Sequence, residues 1–471
     1  MTCSIVWFRQ DLRVADNAAL TAAAKRGNPI IALYVLDDES AGEWKIGAAS
    51  RWWLHYSLEA LAADLTKYGI HLTLLRGRAD DIVRKLVAEA RADAVFWNRC
   101  YEPYAVRRDT ALKKALVNDG IHVESFNPGL LHEPDRLRTG GGTPFRVFTP
   151  FYRALQTQDV PPPLPVPHGL KGHERIKSDD LNDWKLLPTH PDWAGGIEAS
   201  WQPGEANAKK RFNGFIDHAL KGYATGRDHP AEDLTSRLSP HLHHGELSAR
   251  QIWHALSGEA HGGSTNIEKF RSELGWREFA TYCLYHVPTL PDEAMNPRFH
   301  DFPYKANEAR LKAWQRGRTG YPLIDAGMRQ LWETGWMHNR VRLAVASFLT
   351  KHLGISWQTG EAWFWDTLVD ADLGNNALGW QWVAGSGPDA SPYYRIFNPI
   401  LQSEKFDAEG NYIRRFVPEL AKIPSKHIHA PWDAPQDVLE KAGVVMGKTY
   451  PMPIVDHAEA RATALARYHG Q

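Results

Sequence analysis

An α/β domain followed by a large all-α domain is the architecture that this 471-residue sequence predicts. Three observations point to it. Over the first 130 residues, short apolar β-rich runs alternate with segments whose apolar residues recur at helical spacing. That alternation makes a parallel, Rossmann-like sheet with helices on both faces. From Glu205 onward strand signals nearly vanish, and helical patterns recur to the end, broken at Pro230, Pro240, Pro288 and Pro399. Between the two lies Pro161-Pro162-Pro163-Leu164-Pro165-Val166-Pro167, then a stretch rich in Gly, Pro and Asp. The expected organisation is an α/β domain over 1–130, a connector over 131–203 and a helical domain over 204–471. Trp184, Trp193 and Trp201 imply that the connector packs against a domain.

The elements follow in order. Strands are expected at Ser4 to Phe8, Pro29 to Leu36, His71 to Arg76, Ala94 to Asn98 and His122 to Phe126. Helices are expected at Asn17 to Lys25, Ser50 to Tyr68, Asp80 to Ala90 and Tyr104 to Val117. No G-x-G-x-x-G follows the first strand. Trp7-Phe8-Arg9-Gln10-Asp11-Leu12-Arg13 stands there, so the dinucleotide fingerprint of the Rossmann type is absent.

Composition narrows the function classes. With 55 basic against 55 acidic residues, no global field draws the protein to a polyanion, and any such site is a local patch. Cys3, Cys100 and Cys283 lie far apart without paired spacing, which excludes a disulfide framework and a cysteine zinc site. They favour a reducing compartment, and with no signal-like start and no run of 18 apolar residues the expected location is the cytoplasm, off the membrane. The 19 tryptophans are more than core packing ordinarily demands.

Several segments carry chemistry. Thr235-Ser236-Arg237-Leu238-Ser239, before Pro240, offers hydroxyls, a guanidinium and backbone N–H groups to an anion, or is an ordinary capped turn. Glu273, Trp276 and Arg277 fall on one helical face, where an acid, an indole and a guanidinium suit a nucleobase, or form a core Trp beside an ion pair. Trp336 to Arg342 and Asp370 to Trp382 place Asn, Arg and Asp inside apolar helices, which makes Arg342 and Asp370 a candidate buried pair. His338 lacks a second ligand at metal spacing and reads as structural, with no metal expected.

These blocks, with Thr319-Gly320-Tyr321-Pro322, resemble the photolyase/cryptochrome family in order and spacing, most of all bacterial class I photolyases of cyclobutane pyrimidine dimers. The resemblance implies FAD, active as FADH⁻, in the helical domain. It places Tyr223, Thr235, Ser236, Arg237, Leu238, Ser239 and Phe270 around the phosphates, ribose and cofactor edge. Asn339, Arg342, Asp370, Asp372 and Asn376 would surround the isoalloxazine, with the neutral Asn376 amide at N5 favouring the anionic reduced ring. Trp276 and Trp382 would wall the lesion pocket, with Leu343 where dimer photolyases usually carry Met and Glu273 at the base edge. Arg227, Arg277, Arg340, Arg395 and Gln402 match DNA-contacting positions. An electron chain would run from Trp380 through Trp357 to Tyr304, which stands in place of a surface tryptophan and would lose its phenolic proton to solvent.

The implied activity is light-dependent repair of cyclobutane dimers in UV-damaged DNA, by a monomer with no obligate protein partner. Enzymes of the (6-4) type carry histidines where Asn339 and Leu343 stand, and plant-type cryptochromes carry Asp and Tyr at Asn376 and Trp382. The alternative is a cryptochrome-type blue-light receptor. For an antenna, Tyr104 and Ala105 replace the folate-binding Asn-Glu pair, and Glu102-Pro103-Tyr104 with Arg108-Asp109 looks closer to deazaflavin binders. FMN, an empty cleft or a plain helix start remain open there.

Overall fold

The computed structural model describes residues 2–258, 263–389 and 394–470. Five strands, β1 (Cys3–Phe8), β2 (Ile30–Leu36), β3 (Leu72–Arg76), β4 (Ala92–Asn98) and β5 (His122–Phe126), form one parallel sheet ordered β3-β2-β1-β4-β5. Every residue of β1 and β2 is buried, which is why both read as unbroken apolar runs. Alternate side chains serve opposite layers: Val6 and Phe8 join one core, Ile5 and Trp7 the other. Four helices supply the crossovers, α1 (Ala18–Arg26), α2 (Ala48–Thr66), α3 (Ala79–Ala90) and α4 (Pro103–Asn118). Local chemistry sets their ends. Asn17 caps α1 by accepting from Leu20 N at 3.0 Å, and Gly27 closes it in the left-handed conformation.

The 131–203 stretch is more structured than its composition suggests. It contains α5 (Phe148–Gln156), and a short helix at Gly195–Ser200. Trp184 is buried in the sheet layer beside Tyr34, and Trp201 packs edge-on against Trp53 while donating to the Thr334 carbonyl at 2.7 Å. Trp193 is half-buried against the same cluster as Trp201.

One carboxylate joins the parts. Glu246 accepts from Trp53 Nε1 at 3.0 Å, Ser57 Oγ at 2.5 Å and Gly204 N at 2.7 Å, and pairs with the buried His241 ring. Beside it Gly245 has φ +69°, and a Cβ there would lie 2.0 Å from the Gln10 carbonyl, so only glycine admits this approach of the sheet to the helices.

The helix Leu373–Ala384 divides the two largest cores of the helical part. Leu373, Ala377 and Leu378 face the core of Phe148, Phe270 and Phe279; Trp380, Val383 and Ala384 face the core of Trp314, Trp357 and Phe364. Asn376 is thereby carried inward on a helix packed on both sides.

Glu278, on the long helix Ser264–His286, binds the start of the connector by accepting from Leu131 N at 3.1 Å. Burial pushes its carboxyl up to about 7. The folded state therefore holds a proton that the unfolded state has released between about 4.5 and 7, and stability falls as pH rises through that window. Glu278→Gln is expected to raise stability at pH 8 by about 3 kcal/mol and leave it little changed at pH 4.5. Melting curves across that range check this; parallel pH profiles for the two proteins would contradict it.

Candidate cofactor and substrate site

Arg342 and Asp370 do pair. Arg342 donates Nη2–H to both Asp370 oxygens, at 2.8 and 3.1 Å, and Nε–H to the Met337 carbonyl at 2.7 Å. The Asp370 side chain is only 4% exposed, so this guanidinium is what makes its charge tolerable. Trp336, which sequence reasoning did not place in the site, connects this pair to the 235–239 segment. Arg342 lies 5.9 Å from its ring and Arg237 5.2 Å, and its Nε1 donates to Ser239 Oγ at 3.3 Å. Arg237 takes the left-handed backbone, φ 49°, and pairs with Asp233 at 3.1 Å. Leu238 is buried, Thr235 and Ser236 are half-buried, and Ser239 is exposed. Tyr223 and Phe270 meet edge-on at 5.2 Å.

Asn376 donates from Nδ2 to the Glu361 carbonyl at 3.0 Å. The Glu361 side chain is fully buried, neither of its carboxyl oxygens has a partner among the described residues, and burial pushes it well above the usual carboxylate range. Asp372 caps its helix by accepting from Asn375 N at 2.8 Å and lies 3.7 Å from the His243 ring. Burial works to raise Asp372, but His243 and Arg277 outweigh it and hold the carboxyl far below its ordinary value. Asn339 is exposed at the start of its helix, which His338 caps through Nδ1 to Arg340 N at 3.3 Å. His338 is thus structural in this fold, and burial pushes its ring down to about 4.

Trp276 and Trp382 are both half-buried. Trp276 stacks on Phe148 with centroids 3.8 Å apart and planes at 9°. Trp382 donates Nε1–H to the Asp389 carbonyl at 3.1 Å, with the Arg395 guanidinium 6.0 Å from its ring. Leu343 and Trp382 pack on the same core, while Gln402 is half-buried on the helix Pro399–Phe406.

The basic positions differ from a bare positive rim. Arg227 is bonded to Glu273, and Arg340 grips Asp228 with two bonds at 2.8 and 2.9 Å. Burial works to raise Asp228, but the Arg340 fork outweighs it and holds the carboxyl low. Arg277 donates to the Leu242 carbonyl at 3.0 Å and lines an inner cleft with Arg13, Glu102 and Asp372. Glu273 and Arg277 thus serve different surroundings despite sharing a helix.

Trp380 is buried against Phe364, 5.0 Å edge-on, and Trp314, 6.3 Å, and Trp357 is buried in the same core. Tyr304 contradicts the expected proton release to solvent. Its hydroxyl is buried with no partner among the described residues, and burial pushes its ionisation far up.

The Glu102, Tyr104, Arg108 and Asp109 cluster sits past the carboxyl ends of β1 and β4, where open parallel sheets hold ligands. There Arg9 and Arg108 pair with Asp109, Arg108 with Asp37 at 3.2 Å, and Gln10 bonds Glu102.

Comparison with known proteins gives the family. The model described as "DNA photolyase" matches residues 4–168, and "FAD binding domain of DNA photolyase" matches 270–470. The Deoxyribodipyrimidine photo-lyase of Agrobacterium fabrum is 55% identical, covering 98% of this chain and 97% of its own. Cryptochrome-1 of Arabidopsis thaliana is 40% identical, over 98% of this chain and 69% of its own. The crystal structure of a bacterial class III photolyase from Agrobacterium tumefaciens superposes with a TM-score of 0.97 at 54% identity, covering 100% of this chain and 98% of that one. The class I affinity expected from the sequence has no support beside a class III neighbour this similar. The fold, the two family matches and full-length identity agree: the chain belongs to the photolyase/cryptochrome family.

Proposed function

We propose that the protein is a deoxyribodipyrimidine photo-lyase that repairs cyclobutane pyrimidine dimers in DNA, using light and bound FAD. The observation that carries this reading is a pair of half-exposed indoles, Trp276 and Trp382, packed on the two cores that meet at the Asn376 helix, in a domain that also holds the buried Arg342–Asp370 pair. Indoles offer flat faces to bases lifted from the stack; the general habit of photolyases to extrude their target is established.

The residues present fit FAD. Arg237 Nε, the Glu361 carboxyl and Trp380 Nε1 are buried polar groups without partners among the described residues, and such groups ordinarily mark a ligand or water. Reduced FAD, when bound and excited by light, supplies the electron that opens the cyclobutane ring and receives it back. Thr235, Ser236, Arg237, Leu238 and Ser239 would hold its phosphates and ribose, with Tyr223 and Phe270 towards its edge. Arg342, compensated by Asp370, brings a positive charge beside the ring without a net buried charge. Asn376 would add an amide dipole there, and burial pushes the carboxyl of Glu361, whose backbone carbonyl accepts from that amide, towards its uncharged form. Light provides the driving force, so no side chain need act as nucleophile.

The test is repair itself. Purified protein under blue light should restore absorbance to irradiated oligothymidine, and the same protein in the dark should not. Flavin photochemistry without repair would favour the light-receptor reading, to which the Arabidopsis cryptochrome relative gives its weight.

In the electron relay we read Trp380 and Trp357, buried in one core, as inner members, and the buried Tyr304 hydroxyl argues against a proton-releasing terminus. A tyrosyl radical forms readily only where the phenol can shed its proton, and Tyr304 has no acceptor among the described residues. Tyr304→Phe is therefore expected to leave transient absorption during photoreduction unchanged, whereas Trp357→Phe slows it. A neutral tyrosyl signal lost in Tyr304→Phe would overturn this.

A further inference from the structure

We infer that the segment from Arg146 to Tyr152 is a positioning element that sets both walls of the damaged-base pocket, with Phe148 backing Trp276 and Asp389 tying that wall to Trp382. The inference rests on the reading of these two indoles as the pocket walls.

Three rings stand in a ladder. Trp276 lies on Phe148 at 3.8 Å and 9°, and Phe148 lies on Tyr152 at 5.4 Å and 14°. The ladder ends on bare backbone: a Cβ at Gly275 would fall 2.4 Å from a Tyr152 ring carbon. Ordinary core packing in the same cluster looks different, since Phe148 and Trp276 both meet Phe279 near edge-on, at 68° and 74°. A half-exposed indole otherwise loses rotamer freedom when a base stacks on it, and that loss subtracts from affinity. Phe148 holds the Trp276 plane before any base arrives.

The same segment reaches the other wall. Asp389 N donates to the Arg146 carbonyl at 3.2 Å, and the Asp389 carboxyl lies near the backbone of Phe148. The Asp389 carbonyl in turn accepts the Trp382 indole N–H at 3.1 Å. Asp389 adopts φ 55°, a strained setting for a residue with a side chain, and the bonds to Arg146 and Trp382 hold it there. Trp382, Asp389, the 146–148 backbone, Phe148 and Trp276 therefore form one connected path.

The test measures binding of the holoenzyme to an oligonucleotide with one thymine dimer and to its undamaged twin, for Phe148→Leu, Trp276→Ala and the double variant. Phe148→Leu is expected to weaken dimer binding about 10-fold, to leave undamaged binding and repair per absorbed photon at saturation unchanged, and to cause no further loss once Trp276 is Ala. Equal losses on both DNAs, additive losses, or no loss would overturn the inference. If Trp276→Ala itself has no effect, the pocket-wall reading fails instead. Should Phe148→Leu not retain FAD, Gly275→Ala, which pushes the ladder from behind, must reproduce the selective loss, and full affinity in that variant overturns the inference.

Discussion

Arg342→Ala is expected to cost about 3–5 kcal/mol of folding stability and with it the tight retention of FAD. The Asp370 side chain, 4% exposed, loses the donor that bonds both its oxygens, and Met337 loses the donor to its carbonyl. An unpaired buried carboxylate either stays charged at great cost or takes up a proton, and both weaken the fold at neutral pH. Arg342→Met combined with Asp370→Leu removes both charges and should recover most of the stability but not the flavin. Denaturant midpoints and flavin absorbance after gel filtration separate the two effects. A loss below about 1 kcal/mol for Arg342→Ala would mean that Asp370 is no more dependent on its partner than a surface acid.

Trp382→Ala and Trp276→Ala are each expected to weaken binding to dimer-containing DNA by roughly 1–3 kcal/mol, about 5- to 150-fold, while FAD stays bound. Neither indole belongs to the Arg342–Asp370 pair or the 235–239 segment, so flavin content serves as the internal control. Trp382→Ala also frees the Asp389 carbonyl, so it should loosen the 385–389 turn as well. Unchanged preference for damaged over undamaged DNA in both variants would remove these residues from the pocket.

Some of this was legible in the sequence for definite reasons. β1 and β2, buried on both faces, leave no alternation to misread, and all five strands appear where β-rich runs stand, within two residues at each end. The Arg342–Asp370 pair was foreseeable because two opposite charges in apolar helices have few ways to be tolerated. The connector misled because Pro-rich composition hides helices such as α5, whose apolar face is bought by contact with a distant helix. The ion pairs of Arg227 and Arg340 were hidden because their partners lie 46 and 112 residues away. Likewise Trp336, Phe148 and Asp389 gain their roles only from neighbours that folding supplies. Tyr304 shows the same limit, since the sequence could match its position to a surface residue but could not show its hydroxyl buried.

The pairing of Arg227 with Glu273 and of Arg340 with Asp228 bears on how the protein finds its target. A phosphate can recruit either guanidinium only by displacing a carboxylate already there, so contact with intact duplex gains little and few counterions are released. With 55 basic residues offset by 55 acidic ones, no background attraction makes up the difference. Residence on undamaged DNA should then be brief, with encounters by repeated collision instead of long sliding runs. Commitment would come only when the extruded pair of linked pyrimidines meets the indoles, so that the lesion, not the backbone, sets the lifetime of the complex.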